Sequence, residues 1–425
     1  MTDPAFSVEQ SAARTLDAHD PLSSYRSKFA IPTRNGEELV YFAGDSLGLM
    51  PKSVRGEVER ELREWETRAL HAHFEAEHPW YSYHEIFREM GARLVGGTPR
   101  EVVMMNGLTV NLNLMLVSFY RPTADRFRIL VEPNCFPSDL YALQSHVSYH
   151  GFDPAEAIVE LTSHEGGGIV QGSDIDNYLM NRGDEVALVM LSGVNYFSGQ
   201  LYHMGEITRL GHSAGCVVGF DLAHAAGNVP LKLHDWDVDF AVWCSYKYLN
   251  SGPGAVAGCF VHERHGSNAD LPRFAGWWGN EPETRFQMDR VREFVPRDGA
   301  DGWQISNPPI LAMAPLKASL EIFDEVGMSA LREKSLRLTG YLEYVINHLA
   351  GDAVEIVTPS DPDQRGCQLS LRVKQNAGEF FDALSSGGVV ADVREPDIVR
   401  VAPVPLYNSF TDVWKFGQVL RQVVG

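Results

Sequence analysis

Short apolar runs alternate with segments of helical period along most of this chain. Val102 to Met105, Ile129 to Val131, Val186 to Leu191, Cys216 to Phe220 and Phe240 to Cys244 are continuous apolar runs of strand length, and another strand is expected near Ile158. Runs without polar alternation suit strands covered on both faces. Between them lie stretches with helical spacing at 82–95, 110–117, 138–149, 174–181 and 204–214. This order predicts an α/β fold with a mostly parallel sheet and helices on both faces. Gly252-Pro253-Gly254 then turns the chain into Ala255 to His262, expected as an antiparallel strand. Earlier, Val54, Val58, Leu62 and Trp65 recur at helical spacing and predict a helix. From Ile310 the rhythm changes. Long helices over 311–326 and 329–349 precede strands near 354–357, 367–373, 389–394 and 398–402, with helices at 377–385 and 409–423. That is a smaller α+β unit.

With 425 residues, 44% hydrophobic and 22% charged, the chain has ordinary globular composition and room for two domains. A formal charge of −20 argues against nucleic acid or an anionic membrane as partner. No apolar run reaches membrane-spanning length. The start, MTDPAFSVEQ, lacks the basic and apolar segments of a signal peptide. The five cysteines are scattered without a CxxC pair, which suits reduced thiols and a cytoplasmic location.

The strand ends carry the chemistry. The run ending at Phe220 is followed by Asp221 and His224, and the run ending at Cys244 by Ser245-Tyr246-Lys247. In open α/β sheets, ligands bind at the carboxyl ends of the strands. A carboxylate and an amine meeting there suit pyridoxal phosphate, whose aldehyde condenses with a lysine and whose pyridine nitrogen needs an acid partner. A surface lysine and an Asp capping a helix would give the same spacing. Asn106-Gly107-Leu108-Thr109 between a strand and a helix could hold an anion at the helix N-terminus, or could simply cap the helix. Phe136 before Pro137 could stack on an aromatic ring or staple the helix entry. His71 to Trp80 is rich in His and aromatics, but His71 and His73 do not share a helix face, so no metal site is expected.

Several blocks resemble the kynureninase family of fold-type I pyridoxal phosphate enzymes. They are Gly44-Asp45-Ser46-Leu47-Gly48-Leu49, Met105-Asn106-Gly107-Leu108-Thr109, Phe136-Pro137-Ser138-Asp139 and Phe220-Asp221-Leu222-Ala223-His224. Cys244-Ser245-Tyr246-Lys247-Tyr248, Ile305-Ser306-Asn307-Pro308-Pro309 and Arg400-Val401-Ala402-Pro403-Val404-Pro405-Leu406-Tyr407 continue the series in the family's order, from about position 40 to the end.

The resemblance implies a seven-stranded large domain and a smaller C-terminal domain, divided as 1–60 (arm and segment joining the small domain), 61–310 and 311–425. It implies hydrolysis of L-kynurenine, or its 3-hydroxy analogue, to an anthranilate and L-alanine by a homodimer. Lys247, Tyr246 and Asp221 would be catalytic. Leu108, Thr109, Phe136, Pro137, Ser138, Asp139, Ser192 and His224 would hold the cofactor, with Trp277 and Asn307, Trp277 reaching over from the second subunit. Arg400 would bind the substrate carboxylate, while Ser306, Asn307 and His73 would contact its aryl side. His224 is expected beside Asp221. A cysteine desulfurase is the rival within the superfamily, with Cys367 or Cys259 as its thiolate. A catalytically silent pyridoxal phosphate-binding protein is the rival outside enzymology.

Overall fold

The computed structural model describes residues 6–163, 168–287, 289–374 and 376–425, so residues 1–5 of the expected N-terminal arm lie outside the described residues. Seven strands form the main sheet: β1 Val102–Met104, β2 Arg128–Val131, β3 Ile158–Glu160, β4 Val186–Ser192, β5 Val217–Asp221, β6 Phe240–Trp243 and β7 Gly258–Val261. Their order is β1-β7-β6-β5-β4-β2-β3. β7 runs antiparallel to both its neighbours. The pairs from β6 through to β3 are parallel.

The continuous apolar runs are explained by burial on two faces. Leu188 and Met190 of β4 point into one core with Ile129, Val131 and Val242, while Val189 and Leu191 join the other with Leu130, Val218 and Trp243. Successive side chains of a strand face opposite sides, so each run fills both cores. Fully burying a large aliphatic side chain contributes roughly 1.5–3 kcal/mol. A polar residue in these runs would forfeit that and add an unpaired group. Gly258 begins β7 beneath the Trp243 ring, where a Cβ would come within 2.0 Å of the indole. Glycine at this position leaves that space to the indole of Trp243, which ends the strand leading to Lys247.

A third core joins Ala13, Leu16, Val40 and Phe42 from the N-terminal segment to Leu338, Leu342, Leu371, Val399 and Phe416. Its sheet is antiparallel, with β8 Val354–Ile356, β9 Leu369–Val373, β10 Asp392–Arg394 and β11 Ile398–Val401 in the order β8-β9-β11-β10. The single strand expected over 389–394 is two. Val389–Val390 pairs in parallel with Val40–Tyr41, and only Asp392–Arg394 joins the small sheet. The switch at Ala391 sets Asp392 opposite Arg400.

The expected helix forms over Val54–Arg68, and its apolar stripe does not face inward. Leu62 and Trp65 are exposed at 41% and 58%, and the buried residues are Glu57 and Glu61. Both acids have partners: Glu57 pairs with Lys317 at 3.2 Å, and Glu61 accepts the Trp80 indole N–H at 2.7 Å. Paired, hydrogen-bonded carboxylates tolerate burial, which frees the apolar stripe to face outward.

Candidate active site

The carboxyl ends of β2, β4, β5 and β6 open into one cavity, at the edge of the sheet where ligands of open α/β folds bind. Each strand delivers a polar residue as it ends. β5 delivers Asp221, β4 Ser192, and the turn after β6 Tyr246 and Lys247. Leu108 and Thr109 line the cavity from the first turn of the Leu108–Phe119 helix, and Phe136 lines it just ahead of the Pro137–Tyr149 helix.

Lys247 is fixed from two sides. Its Nζ lies 3.0 Å from His224 Nε2 and 5.7 Å from the centre of the Phe136 ring. Its backbone is gripped by the Gly44–Leu49 turn: Gly48 N–H donates to the Tyr246 carbonyl at 2.8 Å, and a Cβ on Gly48 would sit 2.2 Å from the Lys247 carbonyl oxygen. Only glycine permits that approach.

The charges around the amine are crowded. Asp221 Oδ1 accepts the Ala223 N–H at 2.7 Å, which holds the carboxylate at the strand end. Burial, then the neighbouring Asp221 charge, pushes the Asp139 carboxyl well above its usual range. Burial also lifts Glu132 to about 7, against the Ser192 backbone N–H, which donates to Glu132 Oε2 at 3.1 Å. Three carboxyl groups therefore share a small volume with one lysine, and the two deepest hold protons more readily than free acids do. Burial and the adjacent Lys247 push His224 well below the usual imidazole range, so the ring is neutral. His224 directs its hydrogen bond to Lys247 rather than to Asp221, where the sequence suggested its partner would be.

These residues fit pyridoxal phosphate. Among the described residues, Asp139 Oδ1, Ser192 Oγ and His224 Nδ1 are buried polar atoms without hydrogen-bond partners. Such atoms are costly unless a ligand meets them. The Leu108–Phe119 helix has Gly107 as its cap and no side-chain cap, so its first N–H groups face the cavity mouth free. Thr109 Oγ1 and Ser138 Oγ lie 3.0 Å apart beside them. Free amides, hydroxyls and the helix dipole make a phosphate site. Phe136, 39% exposed, offers a ring face toward the cavity. Pro137, the first residue of its helix, places Ser138 and Asp139 in the first turn.

Arg400 lies within β11 and is fully buried. Its Nη1 donates to the Tyr196 carbonyl at 2.9 Å, and its Nη2 to Ser46 Oγ at 3.1 Å. It pairs with Asp45 at 3.2 Å and with Asp392. Tyr196 lines the cavity, with its ring 5.3 Å from Phe136, so Arg400 stands directly behind the cavity wall.

Four expected site residues lie elsewhere in the chain's own fold. His73 sits on the short Ala72–Glu75 helix, its ring 5.4 Å from Trp80. Trp277 packs on Phe286 at 6.0 Å, and Phe286 on Phe74 at 6.1 Å. The same turn holds the Ile305 carbonyl through the Trp278 N–H at 3.3 Å, which brings Ser306 and Asn307 alongside, both exposed. His73, Trp277, Ser306 and Asn307 thus gather on one outward aromatic surface. Conversely, Glu132, Val194, Tyr196 and Ala223 line the cavity and were not expected there.

Residues 331–420 match the kynureninase C-terminal domain family. The chain is 53% identical over 419 residues to a kynureninase of Koribacter versatilis, covering 98% of each chain. It is also 53% identical over 423 residues to a kynureninase of Myxococcus xanthus, covering 99% of each. Among solved structures it is similar in fold to an apo cysteine desulfurase from Thermococcus onnurineus, with a TM-score of 0.76 at 16% identity over 100% of this chain and 99% of that one. A lysine variant of C-DES with glycine linked to its pyridoxal phosphate matches with a TM-score of 0.76 at 16% identity, over 91% of this chain and 96% of that one.

Proposed function

The chain belongs to the kynureninase family, and from that premise we propose how its residues divide the hydrolysis of L-kynurenine to anthranilate and L-alanine. It is a pyridoxal phosphate-dependent hydrolase of the kynurenine pathway. The observation that carries the reading is Lys247, held against a neutral His224 in a cavity rimmed by Asp221 and free helix amides. We include 3-hydroxy-L-kynurenine as a substrate.

Lys247 would hold the cofactor's aldehyde carbon and Asp221 its pyridine nitrogen. Leu108, Thr109 and Ser138 would hold the phosphate, with Phe136 against the ring and Ser192 and Asp139 on its polar edge. When bound, the cofactor draws electron density from the substrate's Cα. Lys247 Nζ removes the Cα proton, and neutral His224 Nε2 receives a hydrogen bond from that nitrogen without adding a second positive charge. Tyr246 keeps its phenolic proton, because burial pushes the hydroxyl above its usual range. It can therefore give that proton to the substrate's Cβ as the Cβ–Cγ bond of the hydrated γ-carbonyl breaks, and take one back from the gem-diol hydroxyl as Cγ becomes the anthranilate carboxyl. Water enters, and the two fragments leave as an anthranilate and an amino acid. Arg400 would meet the substrate carboxylate through its Nε–H, which has no partner among the described residues, since Nη1 is held by the Tyr196 carbonyl and Nη2 by Asp45 and Asp392.

Desulfurase chemistry needs a reactive thiolate. Cys367 is fully buried, and burial pushes its thiol to about 12, so it stays protonated and closed off. The decisive assay is anthranilate fluorescence on mixing protein, pyridoxal phosphate and L-kynurenine. Anthranilate formation without sulfide release from cysteine is expected; sulfide without anthranilate would overturn the proposed substrate.

The exposed aromatic surface is part of the same proposal. Leu70 and Phe74 are 75% and 61% exposed and continue the stripe from Leu62 and Trp65 toward Phe286, 55% exposed. A second copy of the chain would cover this surface by two-fold symmetry. His73, Trp277, Ser306 and Asn307 would then complete the neighbour's cavity. Sedimentation should give a dimer. Mixing inactive Lys247→Ala and Trp277→Ala proteins should restore part of the activity, because a hybrid dimer then carries one intact site. A fully active monomer, or no recovery after verified subunit exchange, removes this arrangement. The division into 1–60, 61–310 and 311–425 also belongs to the proposal, with the Ile310–Val326 helix as the strut, since Met313, Leu316 and Leu320 pack under the main sheet. So does a cytoplasmic location, supported by five cysteines that are all free. Among the described residues no helix is long and apolar enough to cross a membrane.

A further inference from the structure

The end of the main sheet opposite Lys247 carries a second cluster of ligand-bearing side chains. The strand register sets it there: Phe240 begins β6 at that end, with Val261 finishing β7 beside it and Val102 opening β1 next to Phe260. Glu101, His234 and His262 each place one ligand atom within 4.8 Å of the others. They come from three separate segments: the residue before β1, the loop before β6 and the residue after β7.

The cluster is built rather than incidental. Glu101 is fully buried, and its carboxylate is aimed by two backbone amides, Thr98 N–H at 2.7 Å and Glu263 N–H at 2.9 Å. His234 Nδ1 lies 3.0 Å from Glu101 Oε1. His262, 8% exposed, presents its Nδ1 at 3.8 Å from the same oxygen. The two imidazoles lie parallel, 5.1 Å apart with 8° between planes. Ligands of a tetrahedral ion with bonds of 2.0–2.1 Å sit about 3.3 Å from one another. The Glu101 oxygen's distances to the two imidazole nitrogens bracket that value and all three ligand atoms lie within 4.8 Å, and the two rings, parallel here, must turn toward each other for both lone pairs to meet one ion.

The tautomer of His262 points the same way. Its Nε2 lies 3.4 Å from Asp237 Oδ1, so the ring proton belongs there. Its Nδ1 takes the Arg264 N–H at 3.3 Å, which marks that nitrogen as the lone-pair side. A carboxylate behind the distal nitrogen of a histidine is the usual outer support of a metal ligand. Arg264 does not cancel the site, because its guanidinium is bound to Asp237 and Asp239.

We propose that Glu101, His234 and His262 form a three-ligand site for a divalent cation of the Zn²⁺ class, with water as the fourth ligand. Two imidazoles and one carboxylate are the donors such an ion takes, whereas Ca²⁺ and Mg²⁺ want all-oxygen shells. The ion would tie β1, β6 and β7 together at their shared end, a stabilising role remote from the chemistry. His234 would move its ring proton to the solvent-facing Nε2 on binding.

The test is dialysis of the holoenzyme against micromolar ZnCl₂, buffer exchange, and metal analysis per chain. The wild type should retain one more Zn²⁺ than His234→Gln/His262→Gln. The single variant His234→Gln, altered at a half-exposed position, guards against a folding failure and should also lose the ion while keeping kynurenine turnover. Asp237→Asn leaves all three ligands in place and should weaken Zn²⁺ by roughly 10–100-fold in competition with a chromophoric chelator. Zn²⁺ should raise the melting temperature of the wild type and not of the variants. Equal zinc retention by wild type and both histidine variants, or none by the wild type, overturns the site.

Discussion

Lys247→Ala is expected to lower kcat for L-kynurenine by roughly 10⁴–10⁶-fold, the scale on which enzymes lose a residue that is both covalent anchor and proton carrier. The same variant should no longer be labelled when the holoenzyme is treated with borohydride, whereas the wild type should carry the reduced cofactor on that residue. Cofactor should still bind, more weakly, because Asp221, Thr109, Ser138 and the helix amides remain. Folding should be little affected: the Lys247 side chain is half-buried at the cavity edge, and its named contacts are His224 and the Phe136 ring. Lys317 and Lys232 are poor substitutes. Lys317 is tied to Glu57 at 3.2 Å and Glu321 at 2.6 Å, and Lys232 is exposed away from the strand ends. Peptide mapping of the borohydride-reduced protein decides the matter. A label on Lys232 or Lys317, or an Ala variant with near-normal turnover, would falsify the assignment.

The parts of this site that the sequence revealed are those fixed by local geometry. Asp221, Ser192, Tyr246 and Lys247 follow apolar runs directly, and a parallel sheet carries every such end to one edge. Glu132 obeys the same rule, standing immediately after Ile129-Leu130-Val131, and could have been found by applying it to every strand. Tyr196 could not. Its place depends on Asn195, whose Oδ1 accepts the N–H groups of Phe197 and Ser198, and on Arg400 and Gln368, which donate to the Tyr196 carbonyl. Such irregular loops have no period to read. The burial of Arg400 was equally hidden, because Asp45 lies far off in sequence and Asp392 faces it only through the strand switch at Ala391.

Which way the Val54–Arg68 helix faces was not legible for a different reason. Helical periodicity reports which residues are apolar together, not which body covers them. Leu62 and Trp65 keep the predicted spacing and face away from their own core. The Glu101, His234 and His262 cluster marks the same limit. Its members are spread over much of the chain, and only the pairing of β7 with β1 and β6 brings them together.

Arg400→Gln and Tyr246→Phe should separate binding from chemistry. The substrate carboxylate is charged in the ground state and throughout the reaction, so losing its partner removes binding common to both and mainly raises KM. A charge-assisted hydrogen bond contributes about 1.5–3 kcal/mol, hence roughly 10- to 100-fold. Arg400 carries a second burden, since Asp45 and Asp392 both depend on it. Removing one partner of a buried ion pair costs about 3–5 kcal/mol, so Arg400→Gln should also melt at lower temperature. That stability loss should depend on pH. Burial works against the Asp392 charge, but Arg400 prevails and holds the carboxyl below its usual value. A depressed folded pKa stabilises above the unfolded value of about 3.9 and is lost as pH falls through the folded one. The gap in melting temperature between wild type and Arg400→Gln should therefore be full near neutrality and narrow as pH drops below about 4. Tyr246→Phe keeps the ring and removes only a proton needed as the carbon–carbon bond breaks. It should leave KM and melting temperature close to wild type and lower kcat by roughly 10²–10⁴-fold. Steady-state kinetics with L-kynurenine and thermal melts on the two variants give the full comparison. A change confined to KM in Tyr246→Phe, with one confined to kcat in Arg400→Gln, would require the two roles to be exchanged.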